Sequence, residues 1–452
     1  MEKTFSILTL GCKLNQYESE CIREALQRRS WRCRRFDEGA SFYIINSCTV
    51  TGRSDARCRN VVRRTRRAAP HAFIVVTGCY AETEPESVEA MGEADLVLGN
   101  DAKRSIGAIL DEVAATNGAV GRIDPQRLMG IHAADEEGIQ RFFDHSRAFV
   151  KVQEGCNAAC SYCIVPRARG RSRSVPAGVV LSQVLALGGN GYREIVLTGV
   201  HIGRYGEDLD PPMTLASLVS AIIEGTNEIR IRLSSIEPTE VSASLLDIAA
   251  QTDRLAPHFH IPLQSGDDRV LSAMNRPYRS ADFRSRIDRI ARAREGIAIG
   301  TDIIVGFPGE SDECFENTFA LLEELPISYF HVFGFSPRPQ TPAAAMMDRV
   351  SPAVKKTRSS RLIALGEAKN RVFLEAQLGT EQLALVEGQV RHASSLVRSL
   401  TGNYCEVLIP RGQARAGSLV PVRVDRFEDG KIYGMALEPD AARARETGAC
   451  GS

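Results

Sequence analysis

The sequence lacks the features that would tie it to a membrane or to an oxidising compartment. In its 452 residues no apolar run approaches the roughly eighteen residues that a membrane span requires. The opening stretch MEKTFSILTLGCK has one lysine before an apolar run too short for a secretory leader, and no A-x-A site follows. A cytoplasmic location without membrane partners is the expectation. There is no excess of either charge: 56 Lys and Arg stand against 56 Asp and Glu. No global field therefore draws a polyanion, and any nucleic-acid contact must come from local patches. A second C-x2-C pair is also missing, which excludes the usual zinc ribbon. What is present is 12 cysteines, pointing to metal or redox chemistry rather than disulfides. With 43% hydrophobic and 25% charged residues the chain has an ordinary globular balance, long enough for several cores.

The segment VKVQEGCNAACSYCIVPRARGRSRS (residues 150–174) is the centre of the chain. An alternating apolar run, 149–152, reads as a strand, and Cys156, Cys160 and Cys163 follow in a C-x3-C-x2-C spacing. A four-iron cluster normally takes four cysteines, so three leave one iron open for a small molecule. This spacing resembles the signature of the radical SAM superfamily. The resemblance implies that the open iron holds S-adenosylmethionine (SAM) and that reductive cleavage releases a 5′-deoxyadenosyl radical.

In the amino-terminal third, apolar runs at 5–10, 42–45, 73–76 and 95–98 alternate with helical patterns at 15–29 and 53–69. That order predicts a parallel sheet covered by helices. Cys12, Cys48 and Cys79 each follow one of the first three runs. Residues just past the ends of parallel strands share one edge, where such sheets bind ligands, so the three thiols are expected together. Gly11 and Gly78 precede two of them and allow tight turns. The stretches TLGCKLNQYES, NSCTVT and TGCYAE resemble the amino-terminal motifs of the methylthiotransferases. This family carries two [4Fe-4S] clusters, and the resemblance implies that Cys12, Cys48 and Cys79 ligate an auxiliary cluster that delivers sulfur. The wording GCKLNQYE is most like the branch that modifies N6-threonylcarbamoyladenosine in tRNA. The other cysteines, at 21, 33, 58, 314, 405 and 450, read as structural or incidental.

Six further apolar runs (149–153, 194–199, 230–235, 259–263, 298–305 and 329–335) alternate with helical patterns and predict a partial (β/α)6 barrel. The chemistry of such a barrel sits at the carboxyl ends of its strands. Motifs at those ends resemble the family's motifs, which makes Thr198, Gly199, Ser234, Ser235 and Glu237 candidates for holding SAM. Arg167, Arg169, Arg171 and Arg173 alternate beside the cysteines and suit phosphate contact. In SPRPQTPA, Gln340 stands where the family usually has glycine.

From residue 379 short strands with turns predict a small all-β barrel, which resembles the RNA-binding TRAM module. The expected organisation is therefore an α/β domain over 1–140 and a radical SAM domain over 141–378. A TRAM-like barrel over 379–440 and a tail over 441–452 follow. The resemblance implies a tRNA methylthiotransferase acting at C2 of N6-threonylcarbamoyladenosine in the anticodon loop, with an electron donor such as flavodoxin or ferredoxin and a sulfur donor. Modification of isopentenyladenosine or of a ribosomal-protein aspartate are alternatives, as is a non-enzymatic iron–sulfur RNA-binding or sensing protein.

Overall fold

Strand 42–47, FYIINS, is buried along its whole length, which only a sheet covered on both faces permits. In the computed structural model, which describes residues 1–116, 139–142, 145–390 and 393–437, it is the central strand of a parallel sheet. The strands are β1 (Thr4–Thr9), β2 (Arg32–Cys33), β3 (Phe42–Ser47), β4 (Phe73–Gly78) and β5 (Leu96–Leu98), in the order β2-β1-β3-β4-β5. Successive side chains feed opposite cores, as strand pleating demands. Phe42, Ile44 and Val75 pack with Ile22, Leu26 and Ile109 on one face; Tyr43, Ile45 and Val76 pack with Cys58 and Val62 on the other. The two-residue edge strand β2 carries no alternation and was not foreseen.

The central unit begins with β6 (Ala148–Lys151), followed by a two-stranded antiparallel pair, β7 (Gln153–Glu154) and β8 (Arg173–Ser174), that closes the base of the cysteine loop. Then come β9 (Glu194–Thr198), β10 (Arg230–Leu233), β11 (His258–His260), β12 (Ala298–Val305) and β13 (Tyr329–Gly334). Strands β10-β9-β6 and β11-β12-β13 form two parallel halves, joined where Ile231 bridges Leu255. Helices on the outside bury Ile195, Leu197, Ile231 and Ile299 in one large core. This is the expected partial barrel of six parallel strands, open on one side.

Helix Pro352–Glu375 leads to β14 (Glu381–Val390), β15 (Ala393–Thr401), β16 (Glu406–Pro410), β17 (Leu419–Glu428) and β18 (Lys431–Ala436), a closed barrel in the order β14-β15-β16-β18-β17. Arg230 and Arg232 fasten it to the central unit, donating to the carbonyls of Leu383 (2.6 Å), Leu400 (3.0 Å), Thr401 (3.0 Å) and Gly402 (2.9 Å). Tyr404 stacks on His258 at 4.5 Å, so this aromatic of the small barrel is spent on packing between units. The expected linker (most of residues 114–143), the tail and Cys450 lie outside the described residues.

Candidate functional site

Strands β1, β3 and β4 are neighbours in the first sheet, and their carboxyl ends bring Cys12, Cys48 and Cys79 to one edge. The approach is close. A β-carbon on Gly11, whose φ is +110°, would sit 2.7 Å from Cβ of Cys48; one on Gly78, at φ +97°, would strike the Ser47 backbone at 2.4 Å. Only glycine tolerates both the left-handed backbone and the contact. Asn15 braces the edge, donating through Nδ2 to the carbonyls of Leu10 and Ser47, each at 2.8 Å. Cys12 is exposed whereas Cys48 and Cys79 are buried. Burial pushes the Cys48 thiol up to about 11 and the Cys79 thiol up as well. A thiol this reluctant to ionise in the bare protein becomes a thiolate when a metal supplies the counter-charge. Three free thiols on one edge fit a metal cluster.

The second triad hangs on one loop after β7. Cys156 Sγ accepts from the Ala158 amide at 3.3 Å and lies 3.3 Å from His201 Nδ1, while His201 Nε2 is 2.7 Å from Glu240 Oε1. Burial opposes charge at both groups, yet the hydrogen bonds win. They hold the Cys156 thiol below its usual range and raise His201 to about 10. Arg276 donates to Cys160 Sγ at 3.2 Å and pairs with Glu237. A guanidinium against one thiolate and an imidazolium against another are the setting in which a three-thiolate cluster is stabilised. His201 lies within the LTGVHIGRYG motif. Arg276, in a turn with no strand-end signature, had no signal in the sequence. Neither was singled out as a site residue.

The expected SAM contacts divide. Thr198 is buried at the end of β9. A β-carbon at Gly199 would meet the Gln153 carbonyl at 2.7 Å, so this glycine serves close packing. The Ser234 hydroxyl is buried with no hydrogen-bond partner among the described residues, an orphan that a polar ligand would satisfy. Ser235 Oγ is 2.9 Å from His260 Nδ1, and Glu237 sits beside Cys160 through Arg276. These positions at the ends of β9 and β10 fit a polar ligand next to the cysteine loop.

The arginine run is corrected at one position. Arg167, Arg171 and Arg173 are exposed, but Arg169 is buried and cannot reach a phosphate. Its guanidinium donates to Asn15 Oδ1 at 2.7 Å, to Glu154 Oε1 at 3.1 Å and to Glu18, which also takes Lys103 at 2.5 Å. Burial raises the Glu18 carboxyl, but Lys103 and Arg169 outweigh it and hold the group at about 2. Asn15 is three residues after Cys12 and Arg169 six after Cys163, so this contact ties the helix that follows the first cysteine of one triad to the segment that follows the other triad. Arg338, beyond β13, makes a second clasp to Asp55 (2.6 Å) and Thr49 (2.8 Å) of the first unit. A groove of about 1010 Å³ lined by Arg294, Gly296 and Asn403 lies at the opposite, amino-terminal ends of the barrel strands, away from every cysteine of the two triads.

Two family models match the chain. Residues 4–99 match an uncharacterized protein family, UPF0004, and residues 150–322 match the radical SAM superfamily. A threonylcarbamoyladenosine tRNA methylthiotransferase of Bacillus subtilis is 36% identical over 427 residues, covering 93% of each chain. Its counterpart in Aquifex aeolicus is 35% identical over 421 residues, 92% of this chain and 98% of that one. Among solved structures, a radical S-adenosylmethionine methyltransferase from Kitasatospora setae with cobalamin and a [4Fe-4S] cluster bound superposes with a TM-score of 0.54 at 14% identity. It covers 76% of this chain and 77% of that chain, a likeness of fold. The cofactors of such a chain are SAM and a [4Fe-4S] cluster. The chain belongs to the radical SAM methylthiotransferase family, and within it is most like the threonylcarbamoyladenosine tRNA branch.

Proposed function

We propose that this protein is a tRNA methylthiotransferase that inserts a methylthio group at C2 of N6-threonylcarbamoyladenosine beside the anticodon, with two [4Fe-4S] clusters. The relatives just described support the tRNA methylthiotransferase activity. The observation that carries the two-centre reading is the presence of two separate cysteine triads in units tied together by the hydrogen bond from Arg169 to Asn15. When bound, the clusters and SAM supply hydrogen abstraction from an unactivated C–H and the sulfur that replaces it, chemistry that acid–base side chains cannot perform.

The chain's own residues have definite tasks in this reading. Cys156, Cys160 and Cys163 hold the SAM-cleaving cluster, with His201 and Arg276 compensating the thiolate charge. Ser234 and Glu237 orient SAM at the strand ends. Cys12, Cys48 and Cys79 hold the sulfur-delivering cluster, and the Arg169 and Arg338 clasps fasten their unit to the barrel. Residues 1–140, 141–378 and 379–440 form the corresponding three domains, the last one gripping tRNA through its backbone and charges, with an external electron donor and sulfur donor. The anticodon-loop base is unpaired and can be splayed into the cavity. Nucleoside mass spectrometry of tRNA from cells lacking the protein tests this. Loss of methylthio-threonylcarbamoyladenosine is the expected result; an unchanged tRNA profile overturns the proposal.

A further inference from the structure

Three neighbouring strands of the barrel each turn a metal-ligating side chain to its interior. On β11, Phe259 feeds the outer core, so the alternate residues His258 and His260 face inward. On β12, Ile303 feeds that core and its neighbour Asp302 faces inward. On β13, Phe330 and Val332 pack against the same core, which turns His331 inward, directly across the ladder from Asp302. The three side chains converge. Asp302 Oδ1 lies 3.1 Å from His331 Nδ1 and 3.3 Å from His260 Nε2, and the three ligand atoms all lie within 4.8 Å of one another.

Hydrogen bonding accounts for only part of this arrangement. Asp302 accepts from His331, but His260 Nε2, although close to the same oxygen, is buried and has no hydrogen-bond partner among the described residues. His260 as a whole is 9% exposed. A buried ring nitrogen left without a partner is costly, and a ligand that accepts its lone pair removes the cost. The other nitrogen of the same ring, Nδ1, is 2.9 Å from Ser235 Oγ. With the proton on Nδ1, donated to Ser235, Nε2 presents its lone pair on the side of Asp302. This is the outer hydrogen bond by which proteins orient a metal-binding histidine. A divalent first-row ion sits about 2.0–2.2 Å from nitrogen and oxygen ligands, which spaces neighbouring ligand atoms by about 3.0–3.5 Å. Both separations measured from Asp302 Oδ1, 3.1 and 3.3 Å, fall in that interval.

We propose that His260, Asp302 and His331 form a mononuclear site for a divalent first-row transition ion, separate from both cysteine triads. Two imidazoles with one carboxylate are the ligand set that holds such ions with coordination positions left open, whereas Mg2+ and Ca2+ prefer oxygen alone. The ligands stand on strands of the barrel wall, so their spacing is set by the sheet and not by a loop. His331 is exposed, which leaves its side of the site accessible to an oxygen atom of an incoming ligand. The site does not rest on the substrate reading above.

The test is Mn2+ binding to the full-length protein loaded with its iron–sulfur clusters and free of tRNA, followed by the EPR signal of free Mn2+ at room temperature. Mn2+ is the probe because it is hard and leaves thiolates to iron. Binding of one Mn2+ per chain is expected, reversed by an equivalent of Zn2+ but not by an equivalent of Mg2+. Pulsed EPR of the bound ion should show nitrogen couplings from two imidazoles, a readout that needs no variant. His331→Ala, at an exposed position, should weaken binding by about 10-fold or more and remove one of the two couplings. Failure to bind one Mn2+ per chain, a bound ion without nitrogen couplings, displacement by Mg2+ as readily as by Zn2+, or unchanged affinity and couplings in His331→Ala overturns the site.

Discussion

The two cysteine triads are assembled by opposite routes. Cys156, Cys160 and Cys163 are local: one loop presents them, and neighbours distant in sequence, His201 and Arg276, compensate their charge. Cys12, Cys48 and Cys79 are far apart in sequence and meet because β1, β3 and β4 lie side by side. The local triad is mixed: hydrogen bonds from His201 and the Ala158 amide hold Cys156 below the usual range against burial, whereas burial pushes Cys163 up to about 12. The assembled triad is tuned by burial, with Cys48 pushed up to about 11. A loop can gather ligands without the fold but needs outside charges to steady them; a sheet edge holds its ligands rigidly but withholds their ionisation until metal arrives.

The sharpest way to separate the two is to remove one thiol from each. Cys163→Ala should abolish SAM cleavage, and Cys48→Ala should leave abortive SAM cleavage while ending sulfur transfer. Each should lower bound iron by about four atoms per chain. Chromatography of 5′-deoxyadenosine beside iron analysis reads both, and equal loss of both activities in Cys48→Ala would falsify the division of labour.

A smaller effect is expected where Arg169 joins the two α/β units. Arg169→Met strands Glu18 and Glu154 with too few cations and should cost ~3 kcal/mol of stability, as breaking buried ion pairs does. SAM cleavage should then proceed largely uncoupled from product formation. Unfolding midpoints and the ratio of deoxyadenosine to product are the measurements; coupling that survives intact would show that the contact is merely structural.

Glu18 offers a pH test of the same joint. Its folded-state value of about 2 lies below the ~4.3 of an unfolded glutamate. Its contribution is therefore fully present above that unfolded value and is lost as pH falls toward about 2. Glu18→Gln should flatten the stability curve across this acid window and lower the plateau at neutral pH, where the charged pairing is otherwise fully present. Urea midpoints against pH decide it, and an unaltered acid slope counts against the pairing.

The least effect belongs to Gln340. Its φ is +64°, a left-handed backbone, which accounts for the glycine that the family usually carries there. Gln340→Gly should change stability by no more than ~1 kcal/mol, with relief of strain offset by the entropy of the unfolded glycine. A thermal midpoint displaced downward by several degrees would point to a contact of the glutamine side chain instead.

Much of this could be read before any coordinates. Periodicity located the strands of both α/β units and the closed barrel to within a residue or two at most ends, because fully buried parallel strands are continuous apolar runs bounded by turns. The loop triad was visible as spacing. The sheet-edge triad was visible too, though only by reasoning through topology. The arginine run was misjudged at Arg169, since four like charges at alternate positions carry no mark of which one faces inward. Arg276 and His201 were passed over because their partners, Cys160 and Cys156, are distant in sequence. Tyr404 stacks on His258 of the central unit, a pairing that no local pattern marks.

The chain of residues alone determined the ligand types, the order of the elements and the sheet edge on which the first thiols gather, because these follow from local pattern and from the shared direction of parallel strands. Only the tertiary structure decided that Arg169 is bolted to Asn15, Glu18 and Glu154, and that His201 and Arg276 reach the thiols of the loop triad. Such facts depend on how charges at great sequence separation are paired once water is removed, and a buried charge has no local signature that says with whom it will pair.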